Sequence, residues 1–252
     1  MKIQYCSDLH LEFPENKKFL ERNPIEAIGD ILILAGDIVP FAVMNQHNDF
    51  FDDVSAKFEM VFWIPGNHEY YHFDIADKPA ILKENIRSNV VLLNNQTIIY
   101  NNIELIFTTL WSHISPAYQW QVQQSVNDFY LIKINNSKLE PHHFNQLHQC
   151  CFDFLQQAVK QNPDKQKVIV THHVPTLMNY PAQYKNSPIN DAFAVELYPF
   201  IENCNATHWI YGHHHVNTTE FTIGNTIMHT NQLGYVQQNE HENFNPNAIF
   251  EL

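Results

Sequence analysis

Side chains that bind metals or move protons follow five short apolar segments of this chain, at the point where each segment ends. Segment 3–6 leads into Asp8 and His10, which are two positions apart and therefore point to the same side of an extended chain. The other four segments lead, in chain order, into Asp37, Asn67 with His68, His172, and His213 with His215. Carboxylate, amide and imidazole groups together form a ligand set for transition metals, so these residue types predict a metal centre.

The segments that carry these residues have the composition of buried β-strands. They are short and rich in β-branched or aromatic side chains, and strands are predicted at 3–6, 31–35, 61–64, 90–93, 103–110, 168–170 and 209–211. Helices are predicted at about 15–28, 44–60, 79–87, 119–133, 141–161 and 191–203, with Asn127-Asp128 as a potential interruption. Two hairpins are predicted, with turns at Asn101-Asn102 and Gly224-Asn225.

This alternation of strands and helices predicts an α/β layered sandwich that forms a single domain over residues 1–252. Open α/β sheets bind ligands beyond the carboxyl ends of their strands, so the five strand ends would converge on one site. Gly36, Gly66 and Gly212 each directly precede a member of the polar set. A residue without Cβ lets the backbone turn sharply and brings the next side chain close to a ligand.

The charge balance of the chain disfavours a nucleic-acid partner. The formal net charge of the 252 residues is −13, and the 14 Lys and Arg residues are spread thinly. A phosphate backbone needs clustered cationic side chains, so we do not expect binding of nucleic acid. Bound divalent cations would instead supply the local positive charge that an anionic substrate needs.

Four cysteines show no spacing typical of a zinc ribbon or a secreted disulfide framework, which predicts reduced thiols and a cytoplasmic location. No apolar stretch is long enough to span a bilayer. The first strand is expected to begin at Lys2 or Ile3 and to lead straight into the proposed chemistry, so we expect no cleavable secretory signal.

Taken in order, these motifs resemble those of the calcineurin-like metallophosphoesterase family. The matching motifs are Asp8-Leu9-His10, Gly36-Asp37, Gly66-Asn67-His68-Glu69, His172 and Gly212-His213-His214-His215, and they cover essentially the whole sequence. Stretches 170–175 and 231–235 are similar to a bacterial, Ser/Thr phosphatase-like subgroup of the family. The second stretch departs from that subgroup, because Gln232 and Leu233 stand where the subgroup has Pro and Arg.

The resemblance implies a metallo-dependent phosphatase-like α/β/β/α sandwich with mixed sheets, and a site that binds two divalent or trivalent metal ions. One ion would be bound by Asp8, His10, Asp37 and His215. The second would be bound by Asp37, Asn67, His172 and His213, so that Asp37 bridges the two. Mixed nitrogen and oxygen ligands suit Mn, Fe, Zn, Co or Ni. A hydroxide between the ions would attack phosphorus in line, and His68 would protonate the leaving oxygen as general acid.

Several neighbouring residues allow more than one interpretation. For Glu69, a structural role such as capping the next helix is favoured over orienting a ring. His173 and His214 alternate with proposed ligands and should face away from the metals, although either could contact a substrate phosphate. His113 could line the pocket, but this is the less favoured interpretation. A solvated helix surface is the favoured interpretation for His142, His143 and His148, and Asn127-Asp128 could fix a loop near the site.

The predicted function is therefore hydrolysis of a small phosphorylated substrate. The alternative is a non-catalytic metal-binding or protein-interaction scaffold on the same fold, and a nuclease is disfavoured by the net charge. Monoester and diester substrates both stay open. The only two arginines, Arg22 and Arg87, are predicted to lie on helices away from the motifs, and this scarcity of cationic donors slightly favours diesters.

Overall fold

The computed structural model describes all 252 residues, and its first six-stranded sheet carries three of the predicted strand ends. Its strands are β1 (Lys2–Cys6), β2 (Ile31–Leu34), β3 (Met60–Trp63), β4 (Leu82–Arg87), β5 (Val90–Asn94) and β14 (Ile249–Glu251), in the order β14-β1-β2-β3-β5-β4. Strands β1, β2, β3 and β5 are parallel, whereas the edge strands β14 and β4 are antiparallel to their neighbours. The carboxyl ends of β1, β2 and β3 therefore lie side by side.

The second six-stranded sheet carries the other two strand ends. Its strands are β6 (Gln96–Tyr100), β7 (Ile103–Phe107), β10 (Lys167–Val170), β11 (His208–Ile210), β12 (Phe221–Ile223) and β13 (Thr226–His229), in the order β12-β13-β11-β10-β7-β6. The predicted hairpins β6–β7 and β12–β13 are confirmed as antiparallel pairs. Strands β10 and β11 are parallel neighbours, and a short ribbon pairs β8 (Lys133–Ile134) with β9 (Ser137–Lys138).

Of the six helices, four cover the outer faces of the two sheets, and the two at residues 119–125 and 128–131 pack in a separate core. They are α1 (Pro14–Arg22), α2 (Asn48–Lys57), α3 (Gln119–Ser125), α4 (Asp128–Leu131), α5 (Pro141–Ala158) and α6 (Tyr198–Asn203). Single 3₁₀ turns occur at Met44–His47, His68–Tyr70, Ile75–Asp77, Asn190–Ala192, Val236–Gln238 and Glu240–Asn243. None of the helices has the length and apolar character needed to cross a membrane.

The alternation of side chains along each strand produces the layers. In β2, Ile31 and Ile33 pack into the core between the sheets, whereas Leu32 and Leu34 pack outward beneath α1 and α2. In the second sheet, Ile169 likewise packs outward in the core that contains α5 and α6 residues. All four β2 residues are buried, as a strand covered on both faces requires. The α/β/β/α sandwich with mixed sheets is therefore confirmed.

The helix predicted at 79–87 is wrong, because this segment forms strand β4. Its Leu, Lys and Glu residues favour a helix, but pairing with β5 overrides that weak preference. As an edge strand, β4 leaves several polar side chains at the surface. Arg87 consequently lies on a strand, where its Nε donates to Asp52 at 2.6 Å.

Other predicted helices exist but have different bounds. Helix α1 ends at Arg22 rather than at 28, and the segment predicted at 191–203 is helical only in the Asn190–Ala192 turn and in α6. The segment predicted at 119–133 is divided into α3 and α4, so the interruption expected there is observed. Strand β7 ends at Phe107 instead of 110, since Leu110 and Trp111 have left-handed φ angles of 69° and 51°.

Candidate metal centre

The structure brings together all seven side chains proposed as metal ligands. Oxygen or nitrogen atoms of Asp8, His10, Asp37 and His215 lie within 4.8 Å of one another, and so do those of Asp37, His172 and His213. Asn67 adjoins the second group, because its Oδ1 is 3.3 Å from His172 Nε2. Asp37 is the one side chain common to both groups. The donor atoms thus form two adjacent clusters joined by a single carboxylate.

The first cluster lies at the ends of β1, β2 and β11. His10 Nε2 and His215 Nε2 are 3.1 Å apart, and His215 Nε2 is 3.3 Å from Asp8 Oδ1. Asp37 Oδ2 is 3.8 Å from His10 Nε2. Two unprotonated imidazole nitrogens repel at this separation, so the contact requires a proton or a cation between the rings.

The second cluster lies at the ends of β2, β3, β10 and β11. His172 Nε2 is its centre, at 3.3 Å from Asp37 Oδ2 and 3.1 Å from His213 Nδ1. The aromatic rings of both histidines are buried, and so is Asn67. Nitrogen and oxygen donors without a thiolate fit Mn, Fe, Zn, Co or Ni.

The backbone at the strand ends is bent to aim these side chains. Asp8, His10, Asp37, His213 and His215 all have left-handed φ angles, between 46° and 82°. Such a conformation costs a non-glycine residue about 1–3 kcal/mol, and it persists only where the surroundings impose it. Five strained residues among seven proposed ligands indicate that the loops are held for function rather than for stability.

Each of the four histidine rings has one nitrogen fixed by an acceptor outside the clusters. His172 Nδ1 lies 2.9 Å from the Ala35 carbonyl, and His213 Nε2 lies 3.3 Å from the Ala192 carbonyl. His10 and His215 have their Nδ1 atoms 3.2 Å and 2.7 Å from Glu12 and Glu240 carboxylates. These acceptors set the ring orientation, so that the other nitrogen of each ring faces the cluster. Metal-binding histidines in proteins have the same arrangement.

Asp128 orients the Asn67 amide. Its Oδ1 accepts hydrogen bonds from Asn67 Nδ2 at 2.8 Å and from the Tyr71 hydroxyl at 2.9 Å. With its NH₂ group occupied in this way, Asn67 presents Oδ1 to His172. The break between α3 and α4 places Asp128 at the start of α4, where it is buried beside the site. This contact gives the Asn127-Asp128 pair a physical role.

Glu69 has a structural role, although it neither hydrogen-bonds a histidine ring nor caps a helix. Its carboxylate accepts backbone N–H groups from Asp37, Ile38 and Gly66 at 2.9, 2.7 and 2.6 Å. The Trp63 indole adds a further donor at 3.3 Å. Glu69 therefore ties the loop after β2 to the loop after β3, and with it Asp37 to Asn67.

The electrostatics of the buried clusters favour a bound cation. Burial lowers the pKa of His172, but the Asp37 carboxylate outweighs this effect and raises the pKa to about 9. Burial likewise lowers the pKa of His215, while hydrogen bonds with Asp8 and Glu240 raise it to about 10. The carboxylates thus draw positive charge onto both rings. A metal ion would supply the same charge in place of these protons, so the donor set fits a metal.

Three positioning residues were missed by the sequence analysis. Glu12 continues the alternation of Asp8 and His10, and that spacing could have revealed it. Gln232 accepts the His215 N–H at 2.7 Å, and its departure from the subgroup pattern was the signal. Glu240 carried no signal, because it lies in a 3₁₀ turn outside every motif.

The remaining histidines separate into different environments. His214 lines the cavity beside the clusters and stacks on Tyr180, with ring centroids 5.6 Å apart. His173 lies in the core against Trp111, and His113 is exposed outside the cavity lining. The prediction of a solvated His148 is wrong: its ring is buried, with Nδ1 3.1 Å from the Trp111 carbonyl. His142 and His143 lie on the outer part of α5, where they are exposed and half-buried.

Residues 1–217 match the sequence profile of the calcineurin-like phosphoesterases. This chain belongs to that family. The protein is accordingly a metal-dependent hydrolase of phosphate esters, and the clusters at the strand ends are groups that could bind its metal.

Two further comparisons describe relatives of this calcineurin-like phosphoesterase. This chain is 33% identical over 276 residues to "Uncharacterized protein L509" of Acanthamoeba polyphaga mimivirus. The alignment covers 99% of this chain and 96% of that protein. The fold of this chain is similar to that of phosphopantetheinyl hydrolase from Mycobacterium tuberculosis, with a TM-score of 0.69 over 96% of this chain and 92% of the other. The sequence identity is 16%, so this second likeness shows the fold alone.

Gly66 is expected to be essential for metal binding, because there is no space for a side chain at this position. A Cβ atom there would clash with Asp37 Oδ1 and would lie 2.6 Å from His172 Nε2. Gly66→Ala should lower metal affinity roughly 10–100-fold, the usual cost of disturbing the support of a ligand. Equilibrium dialysis with Mn²⁺ or Zn²⁺ followed by elemental analysis measures this. Gly29→Ala is the control, since its Cβ would crowd Gln4 at 2.9 Å but no ligand. Equal metal content in both variants would contradict the expectation.

Proposed function

We propose that this phosphoesterase binds two metal ions, one in each cluster, and hydrolyses a small phosphate ester between them and the adjoining cavity. Asp8, His10 and His215 would bind one ion, and Asn67, His172 and His213 the other, with Asp37 bridging. When bound, such a pair supplies a hydroxide nucleophile near neutral pH and stabilises an in-line displacement at phosphorus. The observation that carries the proposal is the shared position of Asp37 between two otherwise separate donor groups.

His68 is the proposed general acid because it contacts both the clusters and the cavity. Its backbone N–H donates to Asp37 Oδ1 at 2.9 Å, and its ring stacks on Tyr71 with centroids 3.9 Å apart. Burial lowers the pKa of His68, but the Asp37 and Glu12 carboxylates outweigh it and raise the pKa. The ring therefore favours the protonated form that donation to a leaving oxygen requires.

Glu12 is the proposed positioning residue for His68. Its Oε1 is 3.4 Å from His68 Nδ1 and 3.2 Å from His10 Nδ1. Burial raises the pKa of Glu12, but its hydrogen bond with His10 and its contact with His68 lower it to about 2. On the far side of the ring, His68 Nε2 is 3.3 Å from the Tyr235 hydroxyl. Glu12 thus holds the Nδ1 edge and leaves Nε2 toward the cavity.

A small substrate and a cytoplasmic location are proposed from the cavity and from the cysteines, respectively. The cavity beside the clusters has a volume of about 300 Å³, which suits a small molecule. All four cysteines are free thiols, which is consistent with a reducing compartment such as the cytoplasm. Because the donor groups and His68 all converge, no observation favours the non-catalytic scaffold.

Asp37→Asn should remove at least one of the two proposed ions, since an amide is a weaker and uncharged ligand. In the direct test, metal is removed from the protein with a chelator, and Mn, Fe, Zn, Co or Ni is then added in turn. Hydrolysis of p-nitrophenyl and bis(p-nitrophenyl) phosphate is then measured beside metal content. The unsubstituted chain should bind two ions and turn over at least one ester. Unchanged metal content in the variant would contradict the bridging role.

His68→Ala should lower turnover by roughly 10²–10⁴-fold, the usual contribution of general acid catalysis, while both ions stay bound. Elemental analysis of the same sample distinguishes this outcome from loss of a ligand. If the variant loses metal in proportion to activity, His68 is a ligand rather than the acid.

Glu12→Gln and Glu240→Gln form a matched pair, because each glutamate contacts Nδ1 of a proposed ligand but only Glu12 also contacts His68. We expect Glu12→Gln to lower kcat most for aryl esters with poor leaving groups, which depend on protonation. Glu240→Gln should lower kcat evenly across the series. For each variant, kcat is measured at saturating metal for a series of aryl esters, and log kcat is plotted against the pKa of the leaving phenol. The same slope in both variants would show that Glu12 acts only through His10.

A further inference from the structure

The cavity beside the metal clusters is lined by no lysine or arginine. None of the 19 residues that line it is Lys or Arg, although the chain has 14 such residues. The lining does include the carboxyl groups of Asp37, Asp128 and Glu240. The chain has a net charge of −13, so positive charge in the cavity would come only from the clusters and from His68 beside them. A second anionic group on a substrate would therefore lie among carboxylates without a counter-charge.

Aromatic rings form much of the cavity wall, and three of them are held flat against site histidines. Tyr71 stacks on His68 at an interplanar angle of 29°, Tyr180 on His214 at 24°, and Phe193 on His213 at 28°. Tyr184 and Tyr235 also line the cavity. The Tyr71 and Phe193 rings are partly exposed and present fixed surfaces that can bind flat groups by stacking, whereas Tyr180 is buried.

Uncharged hydrogen-bonding groups complete the lining. Ser125 is the last residue of α3 and Asn127 directly precedes α4, whereas Ser187 and Asn190 come from the segment that also carries Tyr180 and Tyr184. Asn127 is exposed and lines the cavity. Amide and hydroxyl groups can read the edge of a heterocycle, but they cannot neutralise a charge.

We propose, on the basis of the phosphoesterase activity proposed above, that the substrate is a singly charged phosphodiester with an uncharged, flat arm such as a nucleoside. The scissile phosphate lies at the clusters, and the retained arm lies between the ring-bearing walls. Water cleaves the bond between phosphorus and the leaving oxygen. The leaving group departs with a proton as an alcohol, and the arm stays on the product phosphate.

Three esters with the same leaving group test this assignment. They are the p-nitrophenyl ester of thymidine 5′-phosphate, methyl p-nitrophenyl phosphate, and the thymidine ester with an additional 3′-phosphate. The thymidine ester should exceed the methyl ester about tenfold or more in kcat/KM, as expected for ring stacking. The additional phosphate should lower kcat/KM by at least about tenfold, since no lysine or arginine lines the cavity and carboxyl groups do.

Substitutions in the cavity wall test substrate recognition separately from catalysis at the metal clusters. Tyr180→Leu and the less buried Tyr184→Leu should each reduce the ratio of kcat/KM between the thymidine and methyl esters. Tyr130→Leu is the control, because Tyr130 is exposed outside the cavity and should leave the ratio unchanged. Asn127→Lys should raise kcat/KM for the 3′-phosphorylated ester, a gain that misfolding cannot produce.

The outcomes distinguish the two proposals. Hydrolysis of p-nitrophenyl phosphate but of none of the three diesters would overturn the substrate assignment alone, whereas no hydrolysis of any of these four esters with any metal would overturn the proposed phosphoesterase activity as well. Hydrolysis with equal kcat/KM for the thymidine and methyl esters, or with preference for the 3′-phosphorylated ester, would overturn the substrate assignment alone.

Discussion

The carboxylate of Asp37 is buried between two groups of donor atoms, and its negative charge has to be balanced there. Its Oδ1 accepts the His68 N–H, and its Oδ2 lies near His10 and His172 in different clusters. A buried carboxylate without such partners would be strongly destabilising, because desolvation of an ion is costly. The two proposed metal ions would satisfy this requirement and at the same time create the reactive centre. The stability of the site and its chemistry thus depend on the same charge.

The fold supplies this arrangement through parallel strands in both sheets. Because β1, β2 and β3 are adjacent in one sheet and β10 and β11 in the other, their carboxyl ends open on a common edge. The shared core between the sheets keeps the two halves of the site in register. The loops then bend through left-handed residues, and Glu69 ties two of them together. The catalytic edge is strained and polar, whereas the layers beneath it are apolar and regular.

The strands and the donor residues could be predicted from the sequence because both follow local rules. Buried strands such as β2 are continuous apolar runs, and Asp37 follows directly after one. Strand β4 could not be predicted, since its composition favours a helix and only its position at the sheet edge decides its structure. Glu240 and the cavity wall around Tyr180 were also beyond prediction. Their roles depend on chain segments distant in sequence that meet only in the folded protein.

Electron paramagnetic resonance of the Mn²⁺-loaded protein tests the sharing of Asp37 most directly. Two Mn²⁺ ions joined by one carboxylate should give a stoichiometry of two ions per chain and the closely spaced multiline spectrum of an exchange-coupled pair. A stoichiometry of one, or two ions with the simple six-line spectrum of isolated Mn²⁺, would contradict a bridging Asp37 and the dinuclear site built on it.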